Sequence, residues 1–207
     1  MEIFLSTILA ALLAAYAIRA YQYYPNYKNS IFRTILPNYL EYFYLVAIRK
    51  DCSQSSYLRK HIGTHRMTYT TLKNNEHKIT SRFVVLIYSK GIALISCLDF
   101  KGILSGNQED KRWFIRDDNR LIKINNPTIE QNKYSKLIQQ KYPGLHIQNI
   151  IACDDDMDIS KVKCECLICN NKDIVKMLQE SSGKFIDENT IIEAFENGKK
   201  YEYNTSL

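Results

Sequence analysis

Phe83-Val84-Val85-Leu86-Ile87-Tyr88-Ser89-Lys90-Gly91-Ile92-Ala93-Leu94-Ile95-Ser96-Cys97-Leu98 is the stretch on which the fold turns. Two apolar runs separated by Ser-Lys-Gly predict an antiparallel hairpin. The first run has five consecutive apolar residues and so no polar face to offer water. Its strand is expected to be buried on both sides, as at the centre of an α/β sheet. Alternation then puts Phe83, Val85 and Ile87 on one face and Val84, Leu86 and Tyr88 on the other.

Downstream come Lys101-Gly102, Gly106 and the lone Trp113. Residues 113–115 and 121–124 predict two short strands around a turn at 116–119. Asn126 is suited to cap a helix with Pro127 at its first position, ending near Tyr142, before Pro143-Gly144. Residues 147–153 predict another buried strand and 164–169 a further one. Helices are expected from Asp173 and over 188–199. Strands alternating with helices predict a mixed or partly parallel sheet with helical layers. Upstream, 67–71 has β composition and 73–76 reads as a turn. Residues 51–56 form a polar connection, and 30–50 is helical with a break at Pro37.

The first segment is of another kind. Ile3 to Ile18 carries no charge. As a helix these residues cover about 24 Å, against ~30 Å for a hydrocarbon core. Residues as far as Tyr24 extend the span if the Arg19 side chain reaches toward the interface. A cleavable signal peptide is the rival reading, since Ala15-Tyr16-Ala17 is a small-x-small site. The N-terminal Met1-Glu2 lacks the positive charge such a peptide needs. Arg19, Lys28 and Arg33 flank the other end, so the positive-inside rule predicts a single-pass anchor in the cell membrane with a cytoplasmic C-terminal domain. The expected division is an anchor over 1–25, a helical juxtamembrane connection over 26–56 and an α/β domain over 57–202.

The 207 residues carry 28 Lys/Arg and 22 Asp/Glu, for a net charge of +6. Residues 19–90 hold 12 Lys/Arg against three acids, a net +9, whereas 91–207 hold 16 against 18, a net −2. A basic first half beside an apolar segment suits anionic lipid, nucleic-acid phosphates or simply a solvated face. The six cysteines lie mostly in apolar stretches, as free thiols do in a reducing compartment.

The run from Gly91-Ile92 through Lys101-Gly102, Gly106, Trp113, Asn126-Pro127 and Gln131-Asn132 resembles the nuclease-related domain (NERD), a bacterial relative of the PD-(D/E)xK endonucleases. Specific residues match only over 83–132. The family places two residues between Pro and Gln, whereas this chain has three. The resemblance implies a restriction-endonuclease-like core, a mixed sheet flanked by helices. It also implies an aspartate opening the first hairpin strand and Glu-x-Lys in the second. Those places hold Phe83, Ser96 and Leu98. Glu41 is the nearest counterpart of an early acid in the family's first helix.

The family's chemistry needs carboxylates on neighbouring strands to hold Mg²⁺, and a lysine two residues on, on the same face, to activate water. An aromatic ring, a hydroxyl and an isobutyl group cannot replace them. The expectation is therefore a catalytically degenerate, membrane-anchored pseudoenzyme without a cofactor. It would touch lipid through residues 3–24 and bind a nucleic acid or a protein, and no small-molecule substrate is evident. The alternative is an active Mg²⁺-dependent nuclease with displaced ligands Asp99, Lys101 and Glu41. Asp99-x-Lys101 is a literal D-x-K, but its odd shift turns it to the other face. Cys164-x-Cys166-x2-Cys169, with Cys153, is a candidate zinc set. If 164–169 were a strand, Cys164 and Cys166 would share a face and Cys169 would oppose them. His61 with His65 and the acidic run Asp154-Asp155-Asp156 with Asp158 are weaker metal candidates, the latter expected as a solvated loop.

Overall fold

The computed structural model describes residues 2–28, 32–73, 79–118 and 120–204. The expected turn over 73–76 lies mostly outside these residues, as do Asn119 and the start of the 30–50 helical stretch. The hairpin forms as predicted. Strand β2 (Ile79–Tyr88) pairs antiparallel with β3 (Gly91–Leu98), with Phe83 opposite Ser96 and Tyr88 opposite Gly91. Gly91 sits at φ +117, and a Cβ there would lie 2.4 Å from the His146 carbonyl oxygen, so the turn admits only glycine.

Around the hairpin a five-stranded mixed sheet assembles in the order β1-β2-β3-β7-β9. β1 (His65–Lys73) is antiparallel to β2, β7 (Ile147–Cys153) is parallel to β3, and β9 (Leu167–Asn170) is parallel to β7. Both faces are covered, as the unbroken apolar run demands. Val84, Leu86, Tyr88, Ala93 and Ile95 pack beneath helices α2 (Phe32–Ile35), α4 (Ser56–Ile62) and α6 (Ile174–Glu180). Phe83, Val85, Ile87, Ile92 and Leu94 pack beneath α5 (Pro127–Lys141) and α7 (Glu188–Asn204). Ile35, Leu36 and Leu45 belong to the first of these clusters, although they lie in the segment expected merely to connect anchor and domain.

A second sheet, ordered β6-β5-β4-β8, was not foreseen. Its predicted members are β5 (Arg112–Asp117) and β6 (Arg120–Asn125); β4 (Gly102–Asn107) and β8 (Met157–Lys163) are additions. Leu104, Trp113, Ile115 and Met157 form a third cluster with Ile151 and Cys153 of the first sheet. The packing of this sheet requires both glycines of β4. A Cβ on Gly106 would stand 2.2 Å from the Trp113 ring, and one on Gly102 2.2 Å from the Arg116 carbonyl oxygen. Cys164-Glu165-Cys166 is not strand, because the chain bends there to pass from β8 in one sheet to β9 in the other.

The N-terminal helix α1 (Glu2–Lys28) is a single helix whose apolar first part stands clear of the domain. Among the described residues it is the one helix, over Phe4–Lys28, long and apolar enough to cross a membrane. Its last turns do touch the domain. They pack against α3 (Tyr39–Phe43), which continues into a π-helical turn (Tyr44–Arg49). Arg19 does not extend freely toward an interface; its guanidinium donates to the Ala47 carbonyl at 3.3 Å.

Candidate functional site

The positions that would carry nuclease chemistry do come together. Phe83 and Ser96 are register partners on adjacent strands, and Leu98 follows two residues on, with its face toward α5 and the second sheet. The groups there are apolar and closely packed. The Phe83 ring, 1% exposed, stacks on Tyr134 of α5 at 5.2 Å between centroids and 12° between planes. Leu98 packs with the Trp113 cluster. Ser96 is buried and its hydroxyl has no hydrogen-bond partner among the described residues. A divalent cation needs anionic or carbonyl oxygens to replace its water shell, and the side chains at these three positions offer hydrocarbon and one hydroxyl.

The polar residues of the same stretch have structural occupations. Asn126 caps α5 by accepting from the Thr128 amide, while its side-chain amide donates to the Asn107, Gln108 and Asp110 carbonyls and so ties α5 to the β4–β5 turn. Gln131, fully buried, donates to the Leu94 carbonyl at 2.9 Å and the Ile150 carbonyl at 2.8 Å, and thereby clasps β3 to β7. Asn132 accepts from Asn149 of β7. The extra residue between Pro127 and Gln131 does not spoil the helix start.

The displaced ligands are not brought together. Glu41 turns toward α4, where one carboxylate oxygen accepts from the Ser55 hydroxyl and from the Ser56 and Tyr57 amides. An anion at a helix N-terminus is stabilised by the unpaired amides and the dipole. Lys101 pairs with Asp156 at 2.5 Å, both exposed. The hydrogen bond that Lys101 donates to the Asp156 carboxylate raises its amine above its ordinary range, the opposite of what activating water requires. Asp99 lies on the exposed connection after β3.

Nor do the metal candidates assemble. Among the described residues no group of three or more His, Cys, Asp or Glu side chains is placed to hold a metal ion. Cys169 packs on one face of the main sheet and Cys153, Cys164 and Cys166 on the other. The Cys166 thiol donates to the Cys164 sulfur at 2.9 Å. Burial pushes the Cys153 and Cys166 thiols well above their ordinary values, and Cys169 to about 12. Thiols held protonated in this way are poor nucleophiles.

His65 is buried, with Nδ1 at 3.0 Å from the Gly63 carbonyl and Nε2 accepting from the Ser55 amide at 3.1 Å. Both nitrogens are thus engaged away from His61, whose ring lies against Tyr57. Asp154-Asp155-Asp156 forms a turn exposed at its last two residues, as expected, with Asp154 accepting from the Asp156 amide and Asp155 from the Lys172 amide, whereas Asp158 lies in strand β8 and not in the loop.

One concavity escaped the sequence reading. A cleft of about 630 Å³ runs beside β9 and α6, lined by Gln148, Asn170, Asp173, Lys176, Glu180 and Ser181 among others. Most of its lining comes from the continuous stretch 167–182, joined by Gln148 of β7 and Ile159 of β8, and no local motif announces it. No family model, no curated protein and no solved structure matches the chain.

Proposed function

We propose that the chain is a membrane-anchored, catalytically silent member of the NERD type, with a restriction-endonuclease-like core that binds a nucleic acid or a protein. The observation that carries this reading is the face shared by Phe83, Ser96 and Leu98. Directly opposed residues on neighbouring strands, with a third two residues on, are where two carboxylates and a lysine would have to converge. A stacked pair of aromatic rings, an unpartnered hydroxyl and an isobutyl group stand there instead. The hairpin, the following helix and the parallel strand that Gln131 joins to it supply the frame. What remains to such a domain is its surface. The cleft beside β9, whose strand has a neighbour on one side only, is the concave surface suited to a partner.

The test is metal-dependent cleavage by the full chain in detergent micelles, with Mg²⁺ or Mn²⁺, on DNA and on RNA. The expected result is no turnover, and no difference between the wild type and an Asp99→Ala, Lys101→Ala double variant. Cleavage by the wild type that disappears in the double variant would replace this reading with an active nuclease using displaced ligands.

A further inference from the structure

We infer that a second segment, the π-helical turn and its end at Tyr44–Lys50, rests on the bilayer surface beside α1 and recognises anionic lipid headgroups. The inference depends on α1 lying in a membrane and adds a site to that reading. Contacts fix the path of this segment. Tyr39 packs on Tyr24 and Tyr27 and its hydroxyl donates to the Ala20 carbonyl; Phe43 packs on Tyr16 and Tyr23; Arg19 donates to the Ala47 carbonyl. As the chain advances from 39 to 47 it therefore runs back along α1 toward its apolar part. Residues 48–50 arrive level with the end of the uncharged stretch, where Arg19 stands.

The two sides of the segment differ sharply. Tyr42, Phe43, Leu45 and Ala47 are buried against the domain and α1. Leu40, Tyr44 and Ile48 are respectively 61%, 52% and 45% exposed, at a spacing of four residues along one side. Tyr21 and Tyr24 of α1 are exposed too. The single acid in this stretch, Glu41, is turned inward to α4. The outer side thus carries no negative charge and ends in the exposed cations Arg49 and Lys50, with Arg19 alongside. An apolar side with tyrosines, bordered by basic residues, is the composition of an element lying in a membrane interface. Such cations gain from anionic headgroups and lose nothing by leaving the hydrocarbon. Arg49 also approaches Asp51 at 3.6 Å, an exposed pairing that a phosphate can displace.

The bilayer is the occupant favoured over a soluble partner because this surface is continuous with the face of α1 and directed along it. A soluble protein docking here would meet α1 just where it enters the hydrocarbon.

The experiment uses the full chain in nanodiscs containing brominated lipid, with single tryptophans introduced as Leu12→Trp, Ile48→Trp or Leu121→Trp. The native Trp113 is fully buried in the domain and supplies a constant background. Leu12→Trp reports the anchor, and Leu121→Trp an exposed position on β6. The expected result is quenching at both 12 and 48, at least twofold above that at 121. Quenching at 12 but not at 48 would overturn this inference and leave the anchor standing. No quenching at 12 would sink the anchor reading itself. Replacing a third of the neutral lipid by phosphatidylglycerol should raise quenching at 48 by about half or more. An Arg49→Gln, Lys50→Gln change should abolish that rise. Equal quenching in neutral and anionic discs would overturn the headgroup preference.

Discussion

At the scale of single residues, the contrast between Ser96 and His65 shows how little a polar side chain reveals of its role until its partners are known. Ser96 is buried with an unpartnered hydroxyl, so it contributes desolvation cost and no compensating bond. Ser96→Ala should therefore leave stability unchanged or raise it by up to about 1 kcal/mol, measured by urea unfolding in one detergent. A loss of that size instead would show that the hydroxyl has a partner. His65 is the opposite case. Burial, the main cause, lowers its pKa below the ordinary 6.5. Protonation would put a second N–H against the Ser55 amide, donor facing donor. Because the folded value is depressed, the unfolded chain takes up the proton first. The stabilisation is complete above pH 6.5 and is lost as pH falls through the folded value. Unfolding free energy should thus decline from pH 7 to pH 5 more steeply in the wild type than in His65→Gln. Parallel slopes would remove His65 as the cause.

Elements were legible where burial was uniform and obscure where the backbone broke its own period. The hairpin, β5, β6, β7 and the Asn126-Pro127 start of α5 followed from local pattern, because each is a short apolar run or a cap with a mechanism. β8 did not. Its register against β4 shifts between Ile103 and Ser105, so Ile159 and Val162 both pack inward although three residues apart. A bulge of this kind removes the alternation on which a strand is recognised. β4 was hidden by two glycines in six residues. Of the candidate site, the pairing of the two hairpin strands was legible but their register was not: a three-residue turn at 89–91 would set Phe83 against Cys97, whereas Gly91 is the first residue of β3 and Phe83 faces Ser96. The Phe83–Tyr134 stack and the occupation of Glu41 were not legible either, since both join segments far apart in sequence. Glu41 gives an element-scale prediction. If it serves α4, Glu41→Ala strips three hydrogen bonds from that helix's start and should cost about 1–3 kcal/mol in unfolding free energy. Helix content should also fall, as followed by circular dichroism. Glu41→Ala with unchanged stability would return this carboxylate to the pool of functional candidates.

At the scale of the whole molecule, the question is whether α1 merely tethers the domain or is part of its structure. The expected boundary at residue 25 treats the helix as removable. Tyr27, near its end, is 7% exposed and donates to the Leu36 carbonyl at 2.8 Å. About three turns before it Tyr16, and about one turn before it Tyr23, stand edge-on to Phe43 at 5.0 and 5.7 Å, and Phe43 is fully buried. A chain beginning at residue 26 keeps Tyr27 and loses both of those rings together with Arg19. Edge-to-face pairs contribute about 0.5–1.5 kcal/mol each beyond the area they bury, so the truncated chain should be less stable by roughly 1–3 kcal/mol. For a protein of this size each kcal/mol corresponds to about 2–4 °C in Tm. The truncated chain should consequently melt several degrees below the full chain, when both are measured in the same detergent. Phe43→Ala should lower the melting point of the full chain more than that of the truncated one, because in the latter its ring has already lost two neighbours. If truncation leaves Tm unchanged, and Phe43→Ala costs the same in both backgrounds, α1 is a tether whose contacts with α3 carry no weight. The positioning of residues 44–50 against the bilayer would then have no rigid basis.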